Sequence, residues 1–361
     1  TATATVSPKG LLSGVKVGNT TVTATQDGII SNTVDVNVSS AVITSIKVTP
    51  SPVNVAKGLT RQLIARATFS DATSSDISSS VTWTSRNTAT VTVSPTGLLS
   101  GVKVGNTTVT ATQDGIISNT VDVTVSSAVI TSIQVTPSPV NVAKGLTRQL
   151  IATATFSDAT SSDISSSVTW TSHNTATVTV SPTGLLSGVE VGNTTLTATK
   201  DGVTSNTVNV SVCADLAGAC IDVFDIGTGK LFTNSPSVAY LDSVGGSPFN
   251  TIDYERPANG PDGNFYLFDW SNANTLCTTY SANRLGGRTN WRLATRDELS
   301  KELFDGFGSM FIARGWPTYN NYWSWSRDGS SSKWYFVLLN TGIIWSNDKS
   351  TTLYASCVSN P

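Results

Sequence analysis

The stretch Val81-Thr82-Trp83-Thr84-Ser85 recurs unchanged 87 residues further along the chain, at positions 168–172. It lies within a larger repeat, because residues 41–124 and 128–211 differ at only ten of 84 aligned positions. A period of this length is too long for a solenoid unit and suits a small β domain repeated in tandem. The repetition stops near Cys213. The sequence therefore predicts near-identical modules followed by one distinct domain.

Apolar and polar residues alternate within each module. Leu63, Ala65, Ala67 and Phe69 would share one face of a strand. The other face would carry Gln62, Ile64, Arg66 and Thr68. The same pattern is expected at Val81/Trp83, Val91/Val93, Val102/Val104 and Val121/Val123/Val125. Period-two alternation with a turn every 8–12 residues predicts a β-sandwich, with Trp83 and Trp170 in its core.

These module residues resemble the bacterial immunoglobulin-like group 2 domain. The shared strings are the Trp83 stretch, then 90–93, then Gly97-Leu98-Leu99-Ser100-Gly101-Val102, then Gly105 to Thr112. The resemblance implies all-β Ig-like sandwiches in tandem that serve as a spacer in a surface protein. The expected domains are a partial module at 1–40, full modules at 41–126 and 127–213, and a terminal domain at 214–361.

The N-terminal segment is the back half of a module, since residues 1–37 align with 88–124 with three differences. Half a sandwich cannot close its own core. We therefore expect residues 1–40 to pack poorly or to borrow strands, and the chain to be a fragment of a longer protein.

Composition restricts the function classes. Only 13% of the 361 residues are charged and the net charge is -2, so no basic stripe suggests nucleic acid as a partner. No run of 18 apolar residues predicts a membrane-spanning helix. The single histidine, His173, replaces Arg86 of the sister module and is predicted to be a solvated surface residue. The terminal domain thus lacks the histidine of Ser-His, Cys-His and histidine-zinc sites, and we expect no enzyme, metal or cofactor.

Four cysteines, Cys213, Cys220, Cys277 and Cys357, all lie at or after the end of the repeats. An even number in one domain suggests two disulfides and an oxidising compartment, although three pairings are open and four reduced thiols are the alternative.

The terminal domain reads as α+β. A hairpin is expected at 227–232 and a helix within 267–285, with Asn272 or Asn274 near its start. Thr295 and Glu298 form a capping-box pattern before a second helix. Short strands are expected at 322–326, 334–339, 343–345 and 354–358.

Trp291-Arg292-Leu293-Ala294-Thr295-Arg296-Asp297-Glu298-Leu299 is the most informative short string of this domain. With Tyr322-Trp323-Ser324-Trp325-Ser326 and the ending 354–358, it resembles C-type-lectin-like domains of bacterial surface proteins, except that Ala294 replaces a proline of that family's string. The resemblance implies a bond from Cys277 in the first helix to Cys357 in the last strand, which leaves Cys213 to pair with Cys220.

Ig-like modules followed by a lectin-like domain resemble the extracellular part of invasin/intimin-type adhesins. The resemblance implies a non-enzymatic adhesin at the bacterial cell surface, anchored in the outer membrane by a part outside this chain. It also implies a host or neighbouring-cell receptor, protein or glycan, as the partner, and hence a part in virulence.

Three alternatives remain. A calcium-dependent lectin would need more oxygen ligands than Asn347 and Asp348 in Trp345-Ser346-Asn347-Asp348, which is expected to be a turn between strands. A hydrolase would need an acid pair such as Asp253 with Glu255, or Asp297 with Glu298. A phage or pilus structural tip is the third alternative.

The expected binding surface follows the second helix of the terminal domain. Interface hot spots favour Trp, Tyr and Arg, and exposed aromatics also stack on sugars. We expect Trp323, Trp325 and Trp334 to be core, and leave core and surface equally open for Trp316 and Tyr319. The candidate receptor-binding residues are Arg314, Trp316, Tyr319, Asn320, Tyr322, Arg327 and Asp328.

Overall fold

The computed structural model of the protein describes residues 2–329 and 332–361. The N-terminal segment forms three separate two-stranded pairs. Leu12 and Val34 are exposed there, whereas their equivalents in the next module, Leu99 and Val121, are fully buried. This half-module packs poorly, as predicted, because a two-stranded pair has no second sheet to cover it. Its strands are β1 (Ala4–Val6), β2 (Leu12–Gly14), β3 (Gly18–Val22), β4 (Thr25–Gln26), β5 (Ile29–Ile30) and β6 (Val34–Val38).

The first full module is built from three sheets of short strands. Their orders are β11-β10-β7, β13-β14-β9 and β12-β15-β17-β8, with β16 paired to β15. All these pairs are antiparallel except β17 with β8. The strands are β7 (Ile43–Thr49), β8 (Val53–Ala56), β9 (Thr60–Gln62), β10 (Ile64–Phe69), β11 (Ser74–Asp76), β12 (Thr82–Ser85), β13 (Val91–Val93), β14 (Leu98–Gly101), β15 (Gly105–Gln113), β16 (Ile116–Ile117) and β17 (Val121–Ser126).

The second full module repeats this arrangement strand for strand. Its sheets are β18-β21-β22, β20-β25-β24 and β19-β28-β26-β23, with β27 on β26. The strands are β18 (Ile130–Thr136), β19 (Val140–Ala143), β20 (Thr147–Gln149), β21 (Ile151–Phe156), β22 (Ser161–Asp163), β23 (Thr169–Ser172), β24 (Val178–Val180), β25 (Leu185–Gly188), β26 (Gly192–Lys200), β27 (Val203–Thr204) and β28 (Val208–Cys213).

Alternation along the strands creates the core of each module. Leu63, Ala65 and Ala67 are fully buried, and the residues between them are exposed, as the sequence predicts. Val102 and Val104 were wrongly predicted to point inward from a strand. They lie between β14 and β15 and are exposed, because the chain turns there before Gly105.

Trp83 fixes the turn before β14. Its indole Nε1 donates a hydrogen bond to the Ser78 carbonyl at 2.9 Å, and the side chain packs against the core. A Cβ at Gly97 would lie 2.8 Å from Trp83 Cζ2 and 2.6 Å from the Leu63 carbonyl oxygen, and Gly97 has φ +85°. Only glycine fits this turn, both for space and for backbone conformation.

The terminal domain contains two four-stranded sheets, of orders β29-β30-β38-β33 and β36-β35-β34-β37, and the pair β31-β32. Its strands are β29 (Val223–Asp225), β30 (Leu231–Thr233), β31 (Thr251–Glu255), β32 (Gly263–Leu267), β33 (Arg292–Leu293), β34 (Tyr322–Arg327), β35 (Lys333–Val337), β36 (Ile344–Asp348), β37 (Tyr354–Ala355) and β38 (Cys357–Ser359). Its helices are α1 (Val238–Ser243), α2 (Trp270–Ala282), a 3-10 turn (Leu285–Gly287), a π-helical segment (Glu298–Phe304) that continues into α3 (Asp305–Phe307), and α4 (Met310–Arg314).

Local hydrogen bonds determine where the helices begin. Asp269 caps α2 by accepting from the Asn272 N–H at 2.8 Å, and the predicted helix within 267–285 is confirmed. The capping box before the second predicted helix forms in both directions, since Thr295 N–H donates to Glu298 Oε2 at 2.8 Å and Glu298 N–H to Thr295 Oγ1 at 3.3 Å. The short helix α1 was not predicted.

Two disulfides hold the terminal domain. Cys277 of α2 bonds Cys357 of β38 across 80 residues, and Cys213 bonds Cys220 across seven. In the chain-entropy description, a loop of the first size stabilises the fold by roughly 4 kcal/mol.

One arginine joins the last Ig-like module to the terminal domain. Arg148 is buried, its guanidinium donates to the Val223 carbonyl, and Asp222 and Asp225 lie within electrostatic range. Burial lowers the pKa of Arg148 to about 10, against the opposing effect of the two aspartates. Ala143 of the same module packs in one hydrophobic cluster with terminal-domain residues such as Phe232 and Leu299. The two domains therefore share a packed boundary.

We expect Arg148→Ala to lower the free energy of unfolding by about 2–4 kcal/mol, because it leaves the buried Val223 carbonyl without its donor and removes the positive charge near Asp222 and Asp225. The matched control is Arg61→Ala, the same residue in the sister module, which is exposed and should change stability by about 0.5 kcal/mol or less. Denaturant unfolding of the full chain followed by tryptophan fluorescence measures both. Equal effects of the two substitutions would contradict the role of Arg148.

Candidate functional site

The structure divides the predicted receptor-binding residues into a buried group and an exposed group. Trp316 is fully buried and the Arg314 side chain is 13% exposed, and both bind the Asp222 carboxylate. Arg314 Nε and Nη2 donate to its two oxygens at 2.8 and 2.7 Å, and Trp316 Nε1 donates to Oδ2 at 2.8 Å. Trp316 is 0% exposed, so its place among receptor-contacting residues is corrected to a structural one.

Tyr322 is likewise fully buried, and its hydroxyl donates to the Pro317 carbonyl at 2.7 Å. Its ring lies against Tyr354, whose hydroxyl donates to buried Glu255 at 2.7 Å. Burial raises the pKa of the Glu255 carboxyl despite these hydrogen bonds. The candidate Tyr322 is therefore corrected to a core residue, since a side chain without solvent access cannot contact a receptor.

Tyr319 and Asn320 lie in the segment that follows α4, where Tyr319 is exposed and Asn320 is half-buried. Tyr319 is 58% exposed, while its backbone N–H donates to both oxygens of Glu255 at 3.2 Å. Asn320 Nδ2 donates to the Asp253 carboxylate. The acid pair considered for hydrolysis, Asp253 and Glu255, thus holds this segment in place.

Arg327 and Asp328 lie at the end of β34. The Arg327 guanidinium is 5.6 Å from the centroid of the Trp334 ring. Asp328 accepts hydrogen bonds at 2.7 Å from the Tyr335 and Ser346 hydroxyls. The hydrogen bonds from Ser346 and Tyr335 lower the pKa of Asp328, so the carboxylate is charged at neutral pH.

Three further tryptophans lie near Trp334, the ring that the Arg327 guanidinium faces. The Trp270 ring lies 5.2 Å from that of Trp325 and 5.0 Å from that of Trp334. Trp345 pairs with Phe336, and so it lies diagonally to Trp334 on the same face of β35 and β36. Trp345 is 64% exposed and Trp325 is 53% exposed. We call Trp270, Trp325, Trp334, Trp345 and Arg327 the tryptophan surface.

Sequence reasoning missed most of this surface. Trp323 is buried as predicted, but the prediction that Trp325 is core was wrong. The pairing register of β34 with β35 shifts between Trp323 and Arg327, and this irregularity separates the environments of the two tryptophans. Trp345 was considered only as the end of a predicted strand at 343–345 and as part of a calcium motif, so its exposure was not predicted.

The calcium motif is not the predicted turn. Residues Ile344–Asp348 form β36, and Ser346 is bonded to Asp328. No group of three or more His, Cys, Asp or Glu side chains that could hold a metal ion occurs among residues 2–329 and 332–361.

The second acid pair lies in an ion-pair network. Arg292 donates to both oxygens of Glu298 at 2.8 and 2.6 Å, and Lys230 approaches it at 3.3 Å. Burial alone would raise the pKa of Glu298, but the hydrogen bonds from Arg292 and Thr295 outweigh it and lower the pKa to about 2. Asp297 pairs with Arg296 and Lys301. His173 is exposed, as predicted.

The two full modules define the class of this part of the chain as tandem Ig-like domains. Residues 42–125 and 129–211 each match the family model of the bacterial Ig-like domain (group 2). These segments belong to that family, and the predicted Ig-like modules are confirmed.

Over 284 residues the chain is 36% identical to Ice-binding protein 1 of Shewanella frigidimarina (strain NCIMB 400). The match covers 78% of this chain, and so it extends past residue 213 into the terminal domain. It covers only 30% of the relative, so the chain spans less than a third of that protein's length.

Among solved structures, the chain is similar to the Yersinia pseudotuberculosis adhesin InvE, with 17% identity, a TM-score of 0.31 and coverage of 88% of this chain and 98% of that one. It is also similar to invasin, a bacterial integrin-binding protein, with 14% identity, a TM-score of 0.29 and coverage of 96% and 66%. The chain is similar to invasin/intimin-type adhesins, as the sequence indicates.

Within the described ranges, no helix is both long and apolar enough to cross a membrane.

We expect the Glu298 carboxylate to stabilise the fold at neutral pH. Its pKa is lower in the folded state than the ordinary 4.5. The contribution is therefore complete above pH 4.5 and disappears as the pH falls towards 2. A shift of this size corresponds to at most about 3 kcal/mol.

Unfolding free energies measured between pH 7 and pH 2 test this. Glu298→Gln should flatten that part of the profile, while Asp305→Asn, at an exposed position, should leave it unchanged. A Glu298→Gln profile parallel to that of the unmodified chain would refute the assignment.

Proposed function

We propose that this chain is part of a bacterial cell-surface adhesin in which the Ig-like modules serve as a spacer and the terminal domain binds a receptor. The observation that carries this proposal is the exposure of Trp325 and Trp345 on the surface where Arg327 faces Trp334. Tryptophan is strongly buried on average, and clustered exposed aromatics mark binding sites. Trp and Arg are also the residues that dominate interface energies.

The Ig-like modules support the spacer role. Several of the differences between the two modules are changes of charge at exposed positions, such as Arg86 to His173 and Lys103 to Glu190. A spacer tolerates such changes, whereas a binding site in each module would not. A non-enzymatic, extracellular protein fits this arrangement, and anchoring in the outer membrane is the finer form of the same proposal.

The terminal domain would bind its receptor as the C-type-lectin-like resemblance suggests, but without calcium as a ligand. The tryptophan surface offers flat rings that suit either a sugar or an aromatic-rich protein patch, with Arg327 as the charged partner. Tyr319 and Asn320 form a second, smaller candidate contact. The receptor class is decided by screening the full chain on glycan and host-protein arrays, with and without calcium.

We expect Trp325→Ala combined with Trp345→Ala to weaken binding to any receptor found on the arrays by more than tenfold, about 1.4 kcal/mol or more. Surface plasmon resonance of the full chain measures this. The matched control is Tyr254→Ala, since Tyr254 is an exposed aromatic outside this surface, at 52%. Unchanged affinity of the double variant would refute the choice of surface, and strict calcium dependence would favour a true lectin.

A second candidate function follows from the name of the Shewanella relative together with one feature of the modules. Thr82 pairs with Thr112 and Thr84 with Thr110 on the outer face of the β12-β15 sheet, and the second module repeats the pattern. On a pleated sheet such residues recur about 5 Å apart across strands and about 7 Å apart along them. A regular threonine array is a surface on which ordered water could bind.

If those threonine arrays bind ordered water, we expect the chain to bind ice. Partition of the chain into slowly grown ice measures this. Thr84→Lys with Thr110→Lys, combined with Thr171→Lys and Thr197→Lys in the second module, should then abolish it. Exclusion of the chain from ice would refute this second candidate function.

A further inference from the structure

A cavity of about 630 Å³ lies where the second full module meets the terminal domain. Pro137 and Pro139 form the wall on the side of the module, and Tyr240, Val244 and Leu285 form much of the opposite wall. Small-molecule sites have volumes of about 300–1,000 Å³ and mostly apolar walls with a few polar groups. The size and the lining of this cavity therefore fit a small ligand.

Two tyrosines in this cavity have unused hydrogen-bonding groups. Tyr240 is 4% and Tyr280 is 1% exposed, and their ring centroids are 6.4 Å apart. In the part of the chain that the structure describes, the Tyr280 hydroxyl is buried with no partner. Burial alone shifts the pKa of the Tyr240 phenol, with no contribution from a hydrogen bond. Buried hydroxyls are nearly always paired, so the unpaired Tyr280 hydroxyl needs an explanation. Burial raises the pKa of both phenols, and so both remain O–H donors at neutral pH.

The charge around the cavity is positive. Arg148 and Arg284 line it, and no Asp or Glu occurs among the described residues that do so. Arg148 also lies within electrostatic range of two aspartates and two further arginines, Arg288 and Arg314. Donors and positive charge with no lining carboxylate favour a ligand that accepts hydrogen bonds and carries negative charge.

The loop at the cavity is held in an unusual conformation. Arg284 has φ +52°, in the left-handed region that costs a non-glycine residue free energy, and such residues cluster at functional sites. A Cβ at Gly286 would lie 2.3 Å from Arg148 Nη2, so glycine is required for the arginine to reach this position. The loop thereby brings exposed Arg284 and buried Arg148 to the same cavity.

We propose that this cavity binds a small organic acid, with an apolar body between the proline and tyrosine walls and a carboxylate that accepts from the Tyr240 hydroxyl and pairs with Arg284. This site is separate from the tryptophan surface and does not depend on the adhesin assignment. A hydrogen bond from a neutral donor to a charged acceptor contributes roughly 1.5–3 kcal/mol. The Tyr240 hydroxyl should therefore account for about a tenfold or greater part of the affinity.

The test uses the full chain with 4-phenylbutanoate as the probe and 4-phenylbutanamide as its neutral counterpart. Binding is measured by isothermal titration calorimetry and by saturation-transfer NMR of the probe. We expect saturable binding of the acid and at least tenfold weaker binding of the amide. Tyr240→Phe and Arg284→Gly should each weaken binding of the acid at least tenfold, and Arg284→Gly keeps the backbone conformation accessible.

Tyr240→Phe should leave thermal unfolding unchanged, because its hydroxyl donates to no protein group. The matched controls are Tyr254→Phe and Lys349→Ala, at exposed positions that do not line the cavity, and both should bind the acid as the unmodified chain does. Absence of saturable binding at millimolar acid, equal binding of the amide, or unchanged binding by Tyr240→Phe would each overturn the proposal.

Discussion

The arrangement of the C-terminal half of this chain depends on burying one arginine. Arg148 gives up its hydration where the last Ig-like module meets the terminal domain, and an uncompensated buried charge would cost several kcal/mol. The Val223 carbonyl and the nearby Asp222 and Asp225 supply the compensation. Asp222 in turn binds Arg314 and Trp316, so the same network orders the segment that follows α4. The network of charges and hydrogen bonds at the domain boundary thus continues into the interior of the terminal domain.

Sequence reasoning succeeded where structure is set by local patterns. The alternation at Leu63, Ala65 and Ala67 predicted the buried face of β10, and the Thr295–Glu298 pair predicted a helix start that forms both expected hydrogen bonds. Both signals arise within a few residues, where backbone geometry alone decides which side chains meet.

It failed where long-range packing or an irregular register decides. Arg61 and Arg148 stand in identical local sequence, yet only Arg148 is buried, because a distant segment covers it. Trp323 and Trp325 are two residues apart and were both expected inside, but a register shift in β34 leaves Trp325 exposed. Three of the predicted receptor-binding residues, Arg314, Trp316 and Tyr322, have structural contacts instead. The sequence could not distinguish these roles, because aromatic and arginine side chains serve equally well in cores and at interfaces.

The central claim is that the terminal domain packs onto the last Ig-like module around a shielded guanidinium. Arginine-selective labelling with phenylglyoxal, followed by peptide mass mapping, tests it most directly. Peptides that span residues 61–66 and 148–153 differ in mass because Thr153 replaces Arg66, so the two modules can be distinguished. The packed boundary predicts rapid modification of Arg61 and strong protection of Arg148 until the chain unfolds. Equal rates at the two positions under native conditions would show that the boundary is open and contradict the account.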